Sequence, residues 1–263
     1  MKTSLKRTTN GVMNSPTEAI ETTLKMNSYK WNARMVGVLI ILGYLTYGIP
    51  QGTHILPLTT AADPLAAISG NPMQLTIGAL IMAINSAAVV GISLFVYPVI
   101  KQYNETIAVG YVVTRIFESI VMVGGIISLL LLIPLSQEYM QASGAAATSL
   151  HAVGTLVVQG DFFAYRIAMI GLSIGSLPFC YLLYQTKLVP NFISILGLVG
   201  YPALLVLMVV EIISAGTGPI LYLLYIPGAM FEIGLALWLI ARGFNSAAVI
   251  SRDSAPKVTG VSK

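Results

Sequence analysis

An all-α bundle of six membrane-spanning helices is the fold this sequence predicts, and three observations predict it. First, 56% of the 263 residues are apolar and 9% charged, against about 25% charged in soluble domains, and mean hydropathy is +0.82. Second, the apolar residues fall in six continuous runs, each at or above the roughly 20 residues that cross about 30 Å of hydrocarbon. Third, the basic residues lie almost wholly outside those runs, in alternate connections. Inside a bilayer every peptide group must be paired within the protein, which a helix does within one segment. A barrel would need alternating segments of about 10 residues, and these runs do not alternate.

The elements follow in order. Residues 1–30 are rich in Ser, Thr, Asn and Lys with no apolar period, and read as a disordered cytoplasmic tail. They do not read as a signal peptide, since the first apolar run starts late and exceeds an h-region of about 7–15 residues, although a cleavage near Ala61 and Ala62 is conceivable. The spans are read as residues 33–51, 73–100, 106–135, 162–183, 192–214 and 219–244. They form one transmembrane domain over residues 31–245, followed by a second cytoplasmic tail, 246–263. Residues 52–72 contain Pro57, Pro64 and Pro72 and read as an irregular loop or cap. Residues 136–160 hold a run of small residues, 144–148, and an apolar stretch, 150–158, too short to cross. That segment is expected outside the cytoplasm, partly helical and lying on the bundle or re-entrant.

Orientation comes from Lys and Arg. Lys2, Lys6, Arg7, Lys25, Lys30 and Arg34 precede or open the first span, and Lys101 and Lys187 follow the second and fourth. Arg242, Arg252, Lys257 and Lys263 close the chain, while connections 52–72, 136–161 and 215–218 carry no Lys or Arg. The positive-inside rule therefore puts both termini in the cytoplasm of a multi-pass cell-membrane protein. The net charge of +4 reads as anchoring to anionic lipid, not as nucleic-acid binding.

Away from their ends, the spans carry five charges. A lone charge at mid-bilayer costs about 2.5–3.5 kcal/mol on insertion scales, so such groups face the bundle and seek partners. Counting along the helices puts Arg115, Glu118 and Glu232 at mid-depth, and Arg166 with Glu211 as an ion pair below the outer surface. Arg115 and Glu118 are three apart on one helix face and able to pair. One Arg then faces two acids, which leaves Glu232 as the candidate protonatable member. Asp161, five residues from Arg166, falls on a different face. For the outer pair the reading is a clamp that specifies helix neighbours. For the mid-depth trio a packing role and a role on an ion or substrate path stand side by side.

Weaker features are read as packing. Gly171 with Gly175, and Gly197 with Gly200, suit close contact within the bundle. Asn85, Ser86, Tyr111, Thr114 and Tyr201 can hydrogen-bond between helices, and Tyr222, Tyr225 and Trp238 read as interfacial or packing aromatics. Pro178, Pro202 and Pro227 should kink the last three helices. Cys180, the single cysteine, reads as a buried apolar group. His54 and His151 read as separate loop histidines, since no HExxH or comparable metal spacing accompanies them. No GxSxG elbow, Walker loop or Cys nucleophile with its base is present. The last span carries no Lys to hold retinal. The chain is expected to have no catalytic residue, cofactor or metal.

Four stretches together resemble a bacterial family of multi-pass membrane proteins, domain of unknown function 4386. They are ARMVGVLIILGYLTYGI, TRIFE, TKLVPNFISILGLVGYPALL and PGAMFEIGLALWLIARGF, spread from Ala33 to Phe244. The resemblance implies that the Arg–Glu of the third helix and the Glu–Trp of the sixth recur, here Arg115, Glu118, Glu232 and Trp238. Asn191 stands where the family usually has a basic residue after the turn proline, with Lys187 nearby. Two functional readings follow. One is a small transporter or channel-like protein for a small solute or proton, centred on Arg115, Glu118 and Glu232. The other is a non-catalytic scaffold, sensor or regulatory subunit, with a membrane-protein or homo-oligomeric partner, whose charges serve packing.

Overall fold

The computed structural model describes residues 16–214 and 219–245. Eight α-helices are formed among them: α1 Pro16–Pro50, α2 Leu56–Thr59, α3 Pro64–Gly70, α4 Pro72–Ile100, α5 Glu105–Gln141, α6 Gly144–Thr186, α7 Asn191–Ser214 and α8 Tyr225–Ala241. A π-helical turn, Gln51–Ile55, joins α1 to α2, and a 3-10 turn, Pro219–Leu224, leads into α8. Six helices are long and apolar enough to cross a membrane: α1, α4, α5, α6, α7 and α8 with its leading turn.

Each spanning helix packs on the next in sequence, and α8 returns to α1. The result is an up-and-down ring. One end carries the start of α1 and the close of α8, and the other carries the α5–α6 turn; these are the termini end and the hairpin end. Apolar side chains occupy both the inside and the outside. Leu129 and Leu207 are fully buried, whereas Ile120 is 66% and Ile213 79% exposed. Helices apolar all round suit a lipid solvent.

Three expectations are corrected. The supposed disordered tail is helical from Pro16 onward, and the proline opens α1 where its missing N–H leaves no bond unmade; residues 1–15 and 246–263 lie outside the described residues. Residues 52–72 are not an irregular loop. Pro50 cannot donate to the carbonyl four residues back, and the chain passes into π geometry at Gln51. Pro57, Pro64 and Pro72 then each occupy the first turn of a helix. Residues 136–160 do not lie across the bundle. α5 runs on to Gln141, the chain turns at Ala142 and Ser143, and Gly144, at φ +59°, opens α6. The Ala run that follows favours helix. At ~1.5 Å per residue the 43 residues of α6 reach about 64 Å, roughly twice the hydrocarbon thickness.

The protruding hairpin is braced by α3. Leu65 packs on Gly154, where an added Cβ would sit 2.9 Å from its side chain. Asp63 caps α3 by accepting from Ala66 N–H at 3.1 Å, and it also accepts from the Tyr139 hydroxyl at 2.9 Å. At the termini end the ring is shut by apolar side chains, including Val36, Val99, Leu183, Ile193 and Leu239. Pro178 and Pro202 lie inside their helices. Pro227, expected to kink the last span, instead sits in the first turn of α8 after the 3-10 segment.

Candidate functional site

The glycines decide where helices close up. On α6, an added Cβ at Gly171 would touch Phe117 and one at Gly175 would overlap Thr114, both on α5. On α7, a Cβ added at Gly200 would sit 2.5–2.8 Å from the backbone of Pro227 and Gly228 on α8, and one at Gly197 would overlap Cys180 and Phe231. These small residues pack within one chain, as expected. Gly37 does the same between α1 and α8, where an added Cβ would sit 2.6 Å from the Ala236 carbonyl oxygen.

With the helices pinned there, the ring is left hollow at mid-height. A cavity of about 380 Å³ takes lining from all six spans, within the usual size range of ligand sites. Its wall includes Tyr44 and Tyr47 from α1, Asn85 from α4, and Tyr111, Arg115 and Glu118 from α5. It adds Tyr165 and Phe179 from α6, Tyr201 from α7, and Tyr225, Phe231 and Glu232 from α8.

Arg115 Nη1 lies 2.9 Å from Glu118 Oε2, one turn along α5, and both side chains are buried. Glu118 Oε2 makes no properly angled hydrogen bond, and Arg115 Nε has no hydrogen-bond partner. Charge, not a directed bond, therefore holds the pair. The guanidinium also stands 5.9 Å from the Tyr111 ring centre, and Tyr111 stacks on Phe179 at 4.5 Å. Glu232 enters the same cavity from α8 but forms no ion pair among the described residues. Its Oε1 accepts from the Tyr201 hydroxyl at 3.0 Å, with the Tyr44 hydroxyl close by. Tyr201 is in turn braced edge-on by Phe231 at 5.6 Å. The three predicted residues thus share one cavity, with two as a pair and the third held by phenols.

The outer pair forms separately. Arg166 Nε is 2.8 Å from Glu211 Oε2 and joins α6 to α7. The guanidinium also lies on Phe162 at 3.3 Å, and its Nη1 donates to the Phe162 carbonyl at 3.1 Å. Neither residue lines the cavity. Asp161 does not pair with Arg166; its Oδ1 fills the space beside Gly125 on α5. His54 bonds its neighbour Thr53 at 2.7 Å, and His151 lies against the Tyr139 ring. Among the described residues no three His, Cys, Asp or Glu side chains are grouped to hold a metal. Cys180 is buried and free, and Trp238 is partly buried at the core without lining the cavity.

Sequence reasoning missed Tyr44, Tyr47 and Tyr165 and read Tyr225 as an interfacial or packing aromatic. A signal existed in α1, where Gly43, Tyr44, Tyr47 and Gly48 mark one face with small and polar residues.

The sequence model of a family described as Domain of unknown function (DUF4386) matches residues 35–243. The chain belongs to the DUF4386 family. No curated protein and no solved structure matches it. The DUF4386 match runs from α1 to the end of α8 and so takes in every wall of the cavity. What defines this DUF4386 member chemically is a hollow six-helix ring, with a self-paired Arg–Glu on one wall and a phenol-held carboxylate on another.

Proposed function

We propose that this DUF4386 protein is a small transporter or channel-like protein that takes a solute or proton into the central cavity, with Arg115, Glu118 and Glu232 as the polar centre of the path. One observation carries the reading: a cavity of ligand size reaches a carboxylate that forms no ion pair among the described residues and is held by a phenol instead. A packing role is best served by ion pairs that link different helices, as Arg166 and Glu211 link α6 and α7. Arg115 and Glu118 lie on one helix, so their pairing selects no neighbour. That difference favours the path over the scaffold, sensor or regulatory reading for the mid-depth trio, and the clamp for the outer pair.

The reading includes no chemical step, no catalytic residue and no cofactor. Lys101 and Lys187 both lie at the termini end, which supports a cytoplasmic location for that end in the cell membrane. The test is Glu232→Gln in purified protein reconstituted into liposomes. Loss of solute or proton flux with thermal stability retained is the expected result. A sharp fall in melting temperature, with no flux in either protein, would sink the reading and restore the scaffold.

A further inference from the structure

Resting on the reading of the cavity as a ligand site, we infer that the ligand is a hydrophobic organic cation and that it enters sideways from the bilayer, between α1 and α8. Charge comes first. The cavity wall carries Arg115 against Glu118 and Glu232, one basic side chain against two acidic ones. Arg115 is matched by Glu118 at 2.9 Å, so an anion would meet a guanidinium already paired and a Glu232 that has no ion-pair partner among the described residues. A cation meets the reverse. A metal ion would need several converging ligands, and the described residues offer no such group. A sugar or other neutral polar solute would meet a wall on which, among the described residues, Asn85 is the one amide and the Tyr201 hydroxyl is already committed to Glu232.

The remaining lining fits the same class. Six tyrosines face the cavity, joined by Phe179 and Phe231, and ring faces attract a cation most where water is excluded. An ammonium or phosphonium with apolar substituents would place its charge near Glu232 and its body against the rings. No hydrogen-bonding of the ligand is required.

The route follows from exposure. Lining residues on α4, α5, α6 and α7 are all buried except the half-buried Tyr165, whereas α1 and α8 contribute Tyr44, Gly48, Ala229 and Glu232, none of which is buried. Gly37 pins α1 to α8 at the termini end, yet at Gly48, on the same face of α1, an added Cβ would meet nothing within 4 Å. The two helices therefore diverge toward the hairpin end. Tyr44 and Glu232 both lie near the middle of their spans, Met26–Thr59 and Ile220–Ala241, so the gap faces acyl chains.

The experiment measures binding of tetraphenylphosphonium and of tetraphenylborate, which share shape and apolarity but differ in sign, to the full chain in lipid nanodiscs. The expected result is saturable phosphonium binding that weakens about tenfold or more in Glu232→Gln, with no saturable borate binding. Borate binding as tight as phosphonium overturns the cation assignment while leaving the cavity a ligand site. Saturable binding of neither ion overturns it too, and the ligand-site reading then falls only if proteoliposomes also show no flux. For the route, Gly48→Phe has room to fold, and phosphonium association and dissociation should both slow. Rates equal to those of the unsubstituted chain would overturn lateral entry.

Discussion

The Tyr201 hydroxyl on α7 donates to Oε1 of Glu232 on α8 at 3.0 Å, so a neutral phenol, not Arg115, holds the cavity's second carboxylate. Interhelical hydrogen bonds in membranes average about 0.6 kcal/mol and reach about 1.7. Tyr201→Phe should lower stability within that range. In a double-mutant cycle with Glu232→Leu, which removes the acceptor, the two losses should fall short of additive, read by thermal unfolding in detergent. Strictly additive losses would mean the bond contributes nothing.

The α7–α8 contact at Gly200 predicts a sharp contrast between two glycines. An added Cβ at Gly200 would sit 2.5 Å from the Gly228 backbone nitrogen, and backbone cannot yield as a side-chain tip can. Gly200→Ala should cost about 1–3 kcal/mol by overpacking. Gly234→Ala, with nothing within 4 Å of its added Cβ, should be neutral or slightly stabilising. Melting temperatures of the two variants, measured side by side, check this.

Arg166 and Glu211 should behave as a clamp. Removing one partner of a buried pair typically costs about 3–5 kcal/mol, whereas replacing both by apolar residues is often neutral. Glu211→Gln or Arg166→Met alone should therefore destabilise, and Arg166→Met with Glu211→Met should recover most of the loss. Solute or proton flux should survive in the double variant, because neither side chain lines the cavity. A double variant no more stable than the singles contradicts the clamp.

Asp63 gives the hairpin end a pH dependence. The Ala66 N–H, and then the Tyr139 hydroxyl, stabilise its carboxylate and hold the group below its ordinary value of 3.8. A lowered value means the cap's contribution is complete above the ordinary value and is lost as pH falls through the folded one. Hydrogen exchange at Ala66 and Ala67 should be unchanged by protonation of this group near neutrality and should quicken only below that range. Asp63→Asn keeps an acceptor for Ala66 and should abolish the acid-dependent step.

Topology has its own check. Lys101 follows α4 at the termini end, and Gln141 closes α5 at the hairpin end; both are exposed. With Cys180 buried, Lys101→Cys and Gln141→Cys each add one accessible thiol. In intact cells an impermeant thiol reagent should label Gln141→Cys and spare Lys101→Cys. The opposite pattern would invert the orientation read from the basic residues.

How much of the site was legible can be judged from particular residues. Arg115 and Glu118 pair as a three-residue spacing on a helix requires, and Arg166 finds Glu211 because both lie at one depth on adjacent spans. Tyr201 was legible as a group able to bond between helices, as it does to Glu232, but the lining role of Tyr165 and Tyr225 was not, because a phenol in an apolar run reads equally well as interface, packing or lining. The helical hairpin at 136–160 was missed because hydropathy reports solvent, not secondary structure, once a helix leaves the bilayer.

Composition, run length and the placement of Lys and Arg were by themselves enough to determine a six-span helical membrane protein, and to name five ionic side chains inside it, though not Asp161, which the structure puts within α6. Which way each helix faces was decided only in three dimensions. In a bilayer the lipid side and the neighbour side of a helix are both apolar, so no amphipathic stripe records its rotation. The cavity, its aromatic wall and the gap between α1 and α8 arise from where glycines such as Gly37 and Gly200 let backbones meet and where the helices then diverge. A void has no residue of its own, and only the packed ring defines it.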